Sequence, residues 1–261
     1  MPDVKTPDGA VIHYDERGPA DGPAVLLIEG LGAHMLGWRA GFCDFFVEAG
    51  YRVLRFDNRD VGLSQKYPSQ SYALAEMADD AHYLLKVLDL APAHIVGQSM
   101  GGMVAQHLVL RHPGDVASLT LLYTAASGRH VAGASRSIDS LRLAPRATSR
   151  EEAIEYHIRP ERVCASRDYS FDEAWKRELG GLMWDRCYDP DGVVRQREAV
   201  SGHAIDLADL AAITIPTLII HGDERQPNLP RSGTRTACHH RRQRAVAGRR
   251  LGTRPSPGTL A

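Results

Sequence analysis

Apolar and polar positions alternate in blocks along the first 125 residues, and the blocks predict strands and helices in turn. Short apolar runs are typical of buried strands, whereas apolar residues three and four apart predict helices. Regular alternation of the two predicts a mostly parallel sheet with helices on both faces. The predicted strands are Val11–Tyr14, Ala24–Ile28, Tyr51–Phe56, Ala93–Val96 and Val116–Tyr123, and the predicted helices are Trp38–Ala49, Met77–Leu88 and Met103–His112.

The alternation stops after residue 125, which divides the chain into four predicted parts. Residues 1–125 form the first part of an α/β core, and residues 126–212 are polar and helical, as expected for a cap inserted over the sheet. The α/β pattern returns in residues 213–223 with the apolar run TLII at Thr217–Ile220. Residues 224–261 are an arginine-rich tail.

Length and composition are typical of one large α/β domain with an inserted cap. The chain has 261 residues, of which 43% are apolar, so it can bury a sizeable core. The sequence contains no recognisable leader and no apolar run long enough to span a membrane, so we expect a cytoplasmic protein with no membrane partner. The four cysteines are scattered, and nothing in the sequence predicts a metal site or a cofactor.

The segment Gly97-Gln98-Ser99-Met100-Gly101 matches the pattern G-x-S-x-G between a predicted strand and a predicted helix. This strand–turn–helix context is that of a nucleophile elbow, in which the serine hydroxyl is exposed on a strained turn. Glycines on both sides remove β-carbons that would otherwise clash there. We therefore predict that Ser99 is a catalytic nucleophile.

Three segments together resemble the α/β-hydrolase family and are similar to bacterial esterases of the aclacinomycin methylesterase type. They are EGLGAHMLGW, RFDNRDVGLS and VGQSMGGMVAQ, and the resemblance extends over roughly residues 10–223. It implies an α/β-hydrolase fold and ester hydrolysis. The same fold also includes lactonases, C–C bond hydrolases and cofactor-free haloperoxidases. Dehalogenases and epoxide hydrolases carry aspartate at the elbow, so Ser99 argues against them.

The resemblance also implies where the oxyanion hole lies. One backbone N–H comes from the loop after the strand Ala24–Ile28, and the other comes from the residue after the nucleophile. Those donors are Leu31 and Met100. Gly30 lets the loop approach the ester. Where many family members have His-Gly, this chain has Glu29-Gly30.

Two charged residues follow the strand Tyr51–Phe56, namely Asp57 and Arg59. Their position near the predicted site suggests a catalytic role. In the family this loop is structural, however, and we interpret Asp57 and Arg59 as a pair that braces it.

A serine nucleophile needs a histidine base and a carboxylate that orients the histidine. In the family the acid follows the strand that corresponds to Thr217–Ile220, in a pattern like H-G-D-x-D. This chain has His221-Gly222-Asp223-Glu224-Arg225, with Arg225 at the usual acid position. Asp223 is the candidate acid, and Glu224 is an alternative.

The histidine base is not identified. The family pattern predicts a Gly-His pair near residue 253, where the chain has Leu251-Gly252-Thr253. His239 and His240 follow Asp223 too closely to leave room for a helix and a final strand, and we interpret them as solvated tail residues.

The tail has an unusual composition. Residues 224–261 contain nine arginines, no lysine and one acidic residue, Glu224. They lack an apolar face, so we predict that they do not form a packed helix or strand. Nucleic-acid binding is disfavoured because no aromatic residue is interleaved with the arginines. We hypothesise a frameshift near residue 224 in a GC-rich gene.

The sequence thus favours a serine hydrolase that cleaves a small, partly apolar carboxylic ester through an acyl-enzyme and is impaired in this chain. The pocket is expected to include Gly30, Trp175 and Trp184. The alternatives are an inactive hydrolase-fold protein that at most binds a small molecule, or a cofactor-free haloperoxidase or lactonase of the same fold. Nothing in the sequence indicates the oligomeric state.

Overall fold

In the part of the chain that the computed structural model describes, residues 2–7, 9–127, 146–165 and 169–221, a sheet of seven strands forms the centre. The strand order is β1-β2-β4-β3-β5-β6-β7. β2 pairs antiparallel with β1 and β4, and the remaining pairs are parallel. The strands are β1 Asp3–Lys5, β2 Val11–Arg17, β3 Ala24–Ile28, β4 Arg52–Phe56, β5 Ala93–Gln98, β6 Val116–Leu122 and β7 Thr217–Ile220.

Three helices of the first part of the chain cover both faces of this sheet. They are α1 Ala40–Glu48, α2 Leu74–Val87 and α3 Met100–Arg111. Alternate residues of β3 enter two separate cores, Leu26 and Ile28 with α2 and α3, and Val25 and Leu27 with α1. A strand covered on both faces must be apolar throughout, which explains the run AVLLI. The predicted fold class is confirmed.

The boundaries of several predicted elements differ from those of the structure. α1 begins at Ala40, because Trp38 is buried in the second core just before the helix. α3 begins at Met100, directly after Ser99, rather than at Met103. The sequence did not predict β1, a three-residue edge strand of which only the central residue is buried.

The described residues of the predicted cap are mostly helical. The helices are α4 Arg150–Cys164, α5 Glu173–Arg186, α6 Pro190–Ser201 and α7 Leu207–Ala211. Each is preceded by a serine or aspartate whose side chain accepts a hydrogen bond from a backbone N–H of the first turn: Ser149, Asp172, Asp189 and Asp206. Such caps satisfy N–H groups that have no partner within the helix.

Strand β7 is the last described element and forms an edge of the sheet. It pairs with β6 on one side, and the side chains of Leu218 and Ile220 are 53% and 52% exposed. The predictions for Asp223 and for the arginine-rich tail fall outside the described residues. Among the described residues, no helix is long and apolar enough to cross a membrane.

Candidate active site

The register of the central strands brings two loops side by side. β3 pairs parallel with β5, and Ile28 lies opposite Gly97. The residues that follow both strands therefore emerge together at the same sheet edge. Glu29 and Gly30 continue from β3, and Gln98 and Ser99 lead into α3.

Ser99 occupies a strained turn between β5 and α3. Its φ is +53° and its ψ is −119°, a conformation that side chains rarely adopt. A Cβ on Gly97 would lie 2.4 Å from the carbonyl oxygen of Gly101, and a Cβ on Gly101 would lie 2.1 Å from that of Ile28. The two glycines of the motif are thus required by close backbone packing, as expected for a nucleophile elbow.

Hydrogen bonds from the neighbouring strand hold this turn in place. The backbone N–H of Ser99 donates to the carbonyl oxygen of Leu122 at 3.0 Å. The Thr124 hydroxyl donates to the carbonyl oxygen of Ser99 at 2.7 Å. Because α3 starts at the next residue, the positive end of its dipole points towards the serine.

The loop after β3 lies against the serine. A Cβ on Gly30 would be 3.4 Å from the Ser99 Cβ and 3.9 Å from its Oγ, so the loop is in van der Waals range of the serine side chain. Met100 is buried at the start of α3, and Leu31 is half-buried in the loop. The structure therefore brings Gly30 to Ser99, with Leu31 next in the loop and Met100 next after the serine, and the oxyanion role of the two amides stays a prediction.

A buried carboxyl lies between the two loops. Glu29 is 1% exposed, and burial raises the pKa of its carboxyl to about 7. Its Oε2 accepts hydrogen bonds from the Gly30 N–H at 2.8 Å and from the Gln98 Nε2 at 2.5 Å. The Tyr123 hydroxyl donates to the Gln98 Oε1. The sequence showed glutamate where the family often has histidine, but it gave no sign that this side chain is buried.

The interpretation of Asp57 and Arg59 as a pair is wrong, although both contact structural partners. Asp57 accepts hydrogen bonds from the backbone N–H groups of Met35 and Leu63, each at 2.9 Å, and pairs with Arg186 of α5 at 2.5 Å. Arg59 instead binds Asp80 of α2 through two hydrogen bonds of 2.7 Å. Each residue thus pairs with a side chain far along the sequence, Arg186 for Asp57 and Asp80 for Arg59, and local spacing cannot reveal such partners.

Helix α6 forms hydrogen bonds to the loops that follow β3 and β4. The buried Gln196 accepts a hydrogen bond from the Gly32 N–H at 2.8 Å and donates one to the carbonyl oxygen of Arg59 at 2.7 Å. Its neighbour Arg195 makes two hydrogen bonds, at 2.8 and 2.7 Å, to Asp60, whose side chain is fully buried. Polar contacts therefore fix α6, which lies in the predicted cap, against these loops.

The two cap tryptophans are both half-buried on α5. The guanidinium of Arg39 lies 4.5 Å above the ring of Trp175, and the ring of Trp184 is 4.7 Å from that of Tyr188. Trp175 thus contacts a residue that precedes α1, whereas the contact of Trp184 is with a residue just after its own helix. Their role in a substrate pocket stays a prediction.

Several histidines of the described ranges have partners other than Ser99. The hydrogen bonds are His13 with Asp3, His82 with Asp115, His94 with Ser118, His107 with His203, and His112 with Asp79. His34 is buried in the loop after β3, and burial lowers its pKa to about 4. The candidate acid Asp223 and the histidines His239 and His240 lie outside the described residues. In the part of the chain that is described, no hydrogen bond joins the Ser99 hydroxyl to a histidine.

One group of potential metal ligands occurs within the described ranges. Ligand atoms of His82, His112 and Asp115 lie within 4.8 Å of one another. They lie around the C-terminal end of α3, at the opposite end of this helix from Ser99. The carboxylate of Asp115 already pairs with His82 and Lys86, so salt bridges account for this cluster without a metal.

Comparison with known proteins defines the class. Residues 23–143 match the family model of the α/β-hydrolase fold. A protein of Variovorax paradoxus assigned as the carbamate hydrolase RutD is 40% identical over 111 residues, covering 42% of this chain and 41% of that protein. The rhodomycin D methylesterase DauP of a Streptomyces strain is 36% identical over 106 residues, covering 40% of this chain and 35% of DauP. The chain thus matches about two fifths of the length of these curated relatives.

Solved structures extend the similarity over most of the described residues. A solved structure from work on the carboxylesterases of Nitrososphaera gargenis superposes with a TM-score of 0.70 at 18% identity, covering 85% of this chain and 80% of the other. The non-heme bromoperoxidase BpoC of Mycobacterium tuberculosis gives 0.62 at 27% identity, covering 80% and 76%. Strand order, elbow and these matches together show that the chain has the α/β-hydrolase fold. The resemblance to bacterial methylesterases is confirmed by the match to DauP.

Proposed function

We propose that this chain derives from a carboxylic ester hydrolase in which Ser99 is the nucleophile. The observation that carries the proposal is the approach of the Gly30 loop to the Ser99 hydroxyl, with a glycine Cβ position 3.9 Å from Oγ. In the proposal, the backbone amides of Leu31, which follows Gly30, and of Met100, which follows Ser99, bind the ester carbonyl oxygen. The relatives named as esterases and hydrolases support the same reaction class.

In the proposed reaction the Ser99 oxygen attacks the ester carbonyl carbon. The Leu31 and Met100 amides donate hydrogen bonds to the oxyanion that forms, and the positive end of α3 adds to its stabilisation. The carbon–alkoxy bond then breaks, and the alcohol leaves with the serine proton. Water hydrolyses the acyl-enzyme, which releases the acid and restores the serine.

The step that this chain supports poorly is proton transfer. A serine hydroxyl is a weak nucleophile unless a histidine takes its proton. The candidate acid Asp223 follows β7, whose end lies beside that of β6, since Ile220 is paired with Leu122. No histidine at the family position follows it in the sequence. We therefore propose a catalytically impaired chain and retain the frameshift near residue 224 as its cause.

The test is hydrolysis of p-nitrophenyl esters by three proteins: the chain as given, its Ser99→Ala variant, and the product of a gene whose reading frame is restored after codon 223. The restored protein is expected to be active through Ser99. Robust activity of the given chain that disappears in His239→Ala or His240→Ala would contradict the frameshift and make the tail part of the site.

A second candidate is peroxide-dependent halogenation, which the similarity to the bromoperoxidase BpoC favours. The same restored protein can be assayed for bromination in the presence of peroxide and bromide. Ester hydrolysis without bromination supports the first proposal, and bromination at a comparable rate supports the second. A chain that binds an ester but turns over neither substrate is an inactive hydrolase-fold protein.

A further inference from the structure

Glu29 connects the two loops that the proposed reaction uses. A single oxygen, Oε2, accepts hydrogen bonds from the Gly30 N–H in the oxyanion loop and from the Gln98 amide just before the nucleophile. The carboxyl therefore sets the spacing between the loop and the elbow.

The second carboxyl oxygen has a different environment. Oε1 is buried and has no hydrogen-bond partner within the described residues. A Cβ on Gly37 would lie 2.3 Å from Oε1, so the chain packs directly against this oxygen. An ionised carboxylate needs donors on both oxygens, whereas a neutral acid can keep its proton on Oε1 without disturbing the bonds at Oε2.

The charges around Glu29 do not compensate a negative charge. In the described part of the chain, no basic side chain pairs with it. Lys176 of α5 attracts the carboxylate, but it pairs at 2.7 Å with Glu161 of α4, which repels it. The hydroxyl of Tyr123, at the end of β6, is engaged by Gln98. Burial dominates, and it raises the pKa of Glu29 to about 7.

We propose that Glu29 is a positioning residue that supports ester attack while it is a neutral acid, and that its ionisation disables the oxyanion site. This inference rests on the proposed function. A carboxylate one residue before Gly30 repels the oxyanion forming at the next amide. At an effective dielectric constant of about 20, repulsion between two neighbouring unit charges changes the rate on the order of a hundred-fold.

The experiment compares the frame-restored protein with its Glu29→Gln variant and with the matched control Glu178→Gln, whose side chain is exposed on α5. Each is assayed with p-nitrophenyl acetate from pH 5 to pH 9, and the rate of Ser99→Ala is subtracted. The ratio of the Glu29→Gln rate to the rate of the frame-restored protein without this substitution should rise ten- to a hundred-fold as pH passes through about 7. The rise should be in kcat, with KM little changed, and the Glu178→Gln ratio should stay constant.

A pH-independent Glu29→Gln ratio overturns this inference and leaves the proposed function intact. In the frame-restored protein, a Ser99→Ala rate equal to that of the protein without this substitution contradicts the proposed function and the inference with it. If Glu29→Gln does not fold, infrared spectra of the frame-restored protein decide the matter. A protonated-carboxyl band that is present at pH 6 and lost by pH 8, both in this protein and in Glu178→Gln, supports the inference. Absence of such a band at pH 6 overturns it.

Discussion

The turn at Ser99 and the end of strand β7 lie at the same edge of the sheet, but they differ in how fully the described residues pack around them. At the elbow, β3 and β5 are covered on both faces, and the Ser99 turn is held by a hydrogen bond to the carbonyl oxygen of Leu122 and one from the hydroxyl of Thr124. At the other end, β7 is an edge strand with exposed apolar side chains, and the candidate acid follows it. In the proposed reaction, the Ser99 turn and the Gly30 loop thus depend on residues before 127, whereas proton transfer would depend on the chain after β7.

The largest expected effect separates these two ends. In the serine protease subtilisin, loss of the catalytic histidine lowers turnover on the order of a million-fold. We expect a similar ratio between the frame-restored protein and the given chain with p-nitrophenyl esters. The given chain keeps its elbow, so a residual rate about a thousand-fold above water is expected. Equal rates for the two proteins would show that the two ends are not separable in this way.

The second prediction concerns the packing of the elbow itself. In Gly101→Ala the new Cβ would lie 2.1 Å from the carbonyl oxygen of Ile28. Overpacking of this kind should lower the free energy of unfolding by about 3 kcal/mol or more. The control is Gly41→Ala in α1, where a Cβ meets nothing within 4 Å, and which should be neutral or stabilising. Urea unfolding measures both, and equal effects would contradict the tight elbow.

The third prediction uses the pH dependence of stability. The pKa of Glu29 is about 7 in the folded protein and near 4.5 when unfolded, so the folded form binds the proton more tightly. The associated stability is fully present below pH 4.5 and is lost as pH rises to about 7. The loss amounts to about 3 kcal/mol.

The measurement is urea unfolding of the unmodified chain and of Glu29→Gln between pH 4.5 and pH 8. The difference between the two should change by this amount, with Glu29→Gln relatively more stable at high pH. Glu178→Gln, in which an exposed carboxyl is removed, should parallel the unmodified chain. Parallel curves for Glu29→Gln would mean that the carboxyl is ionised in the folded protein.

The smallest effect is expected at the sheet edge. Leu218→Lys replaces a side chain that is 53% exposed on β7, so the free energy of unfolding should change by no more than about 0.5 kcal/mol. Charges on edge strands oppose pairing with other chains, so self-association should fall. Light scattering against protein concentration measures this. Unchanged association would indicate that the edge is not the sticky surface.

Much of the fold could be predicted because burial leaves a regular pattern. The runs AVLLI and TLII predicted β3 and β7 with their observed bounds. The glycines of the elbow predicted the turn at Ser99, where the backbone packs too closely for a Cβ. The contacts of Asp57 and Glu29 could not be predicted. Their partners come from a distant helix and from a neighbouring strand, and local spacing carries no information about such contacts.

Gln196 has a consequence for how such a protein can be recombined. Its side-chain amide accepts a hydrogen bond from the Gly32 N–H and donates one to the Arg59 carbonyl oxygen, so one residue of α6 completes the hydrogen bonding of two loops. If residues 190–201 came from a relative without an amide side chain at this position, the Gly32 N–H and the Arg59 carbonyl oxygen would lose this hydrogen-bond partner. Chimeras should therefore inherit residues 190–201 together with residues 30–65 as one block.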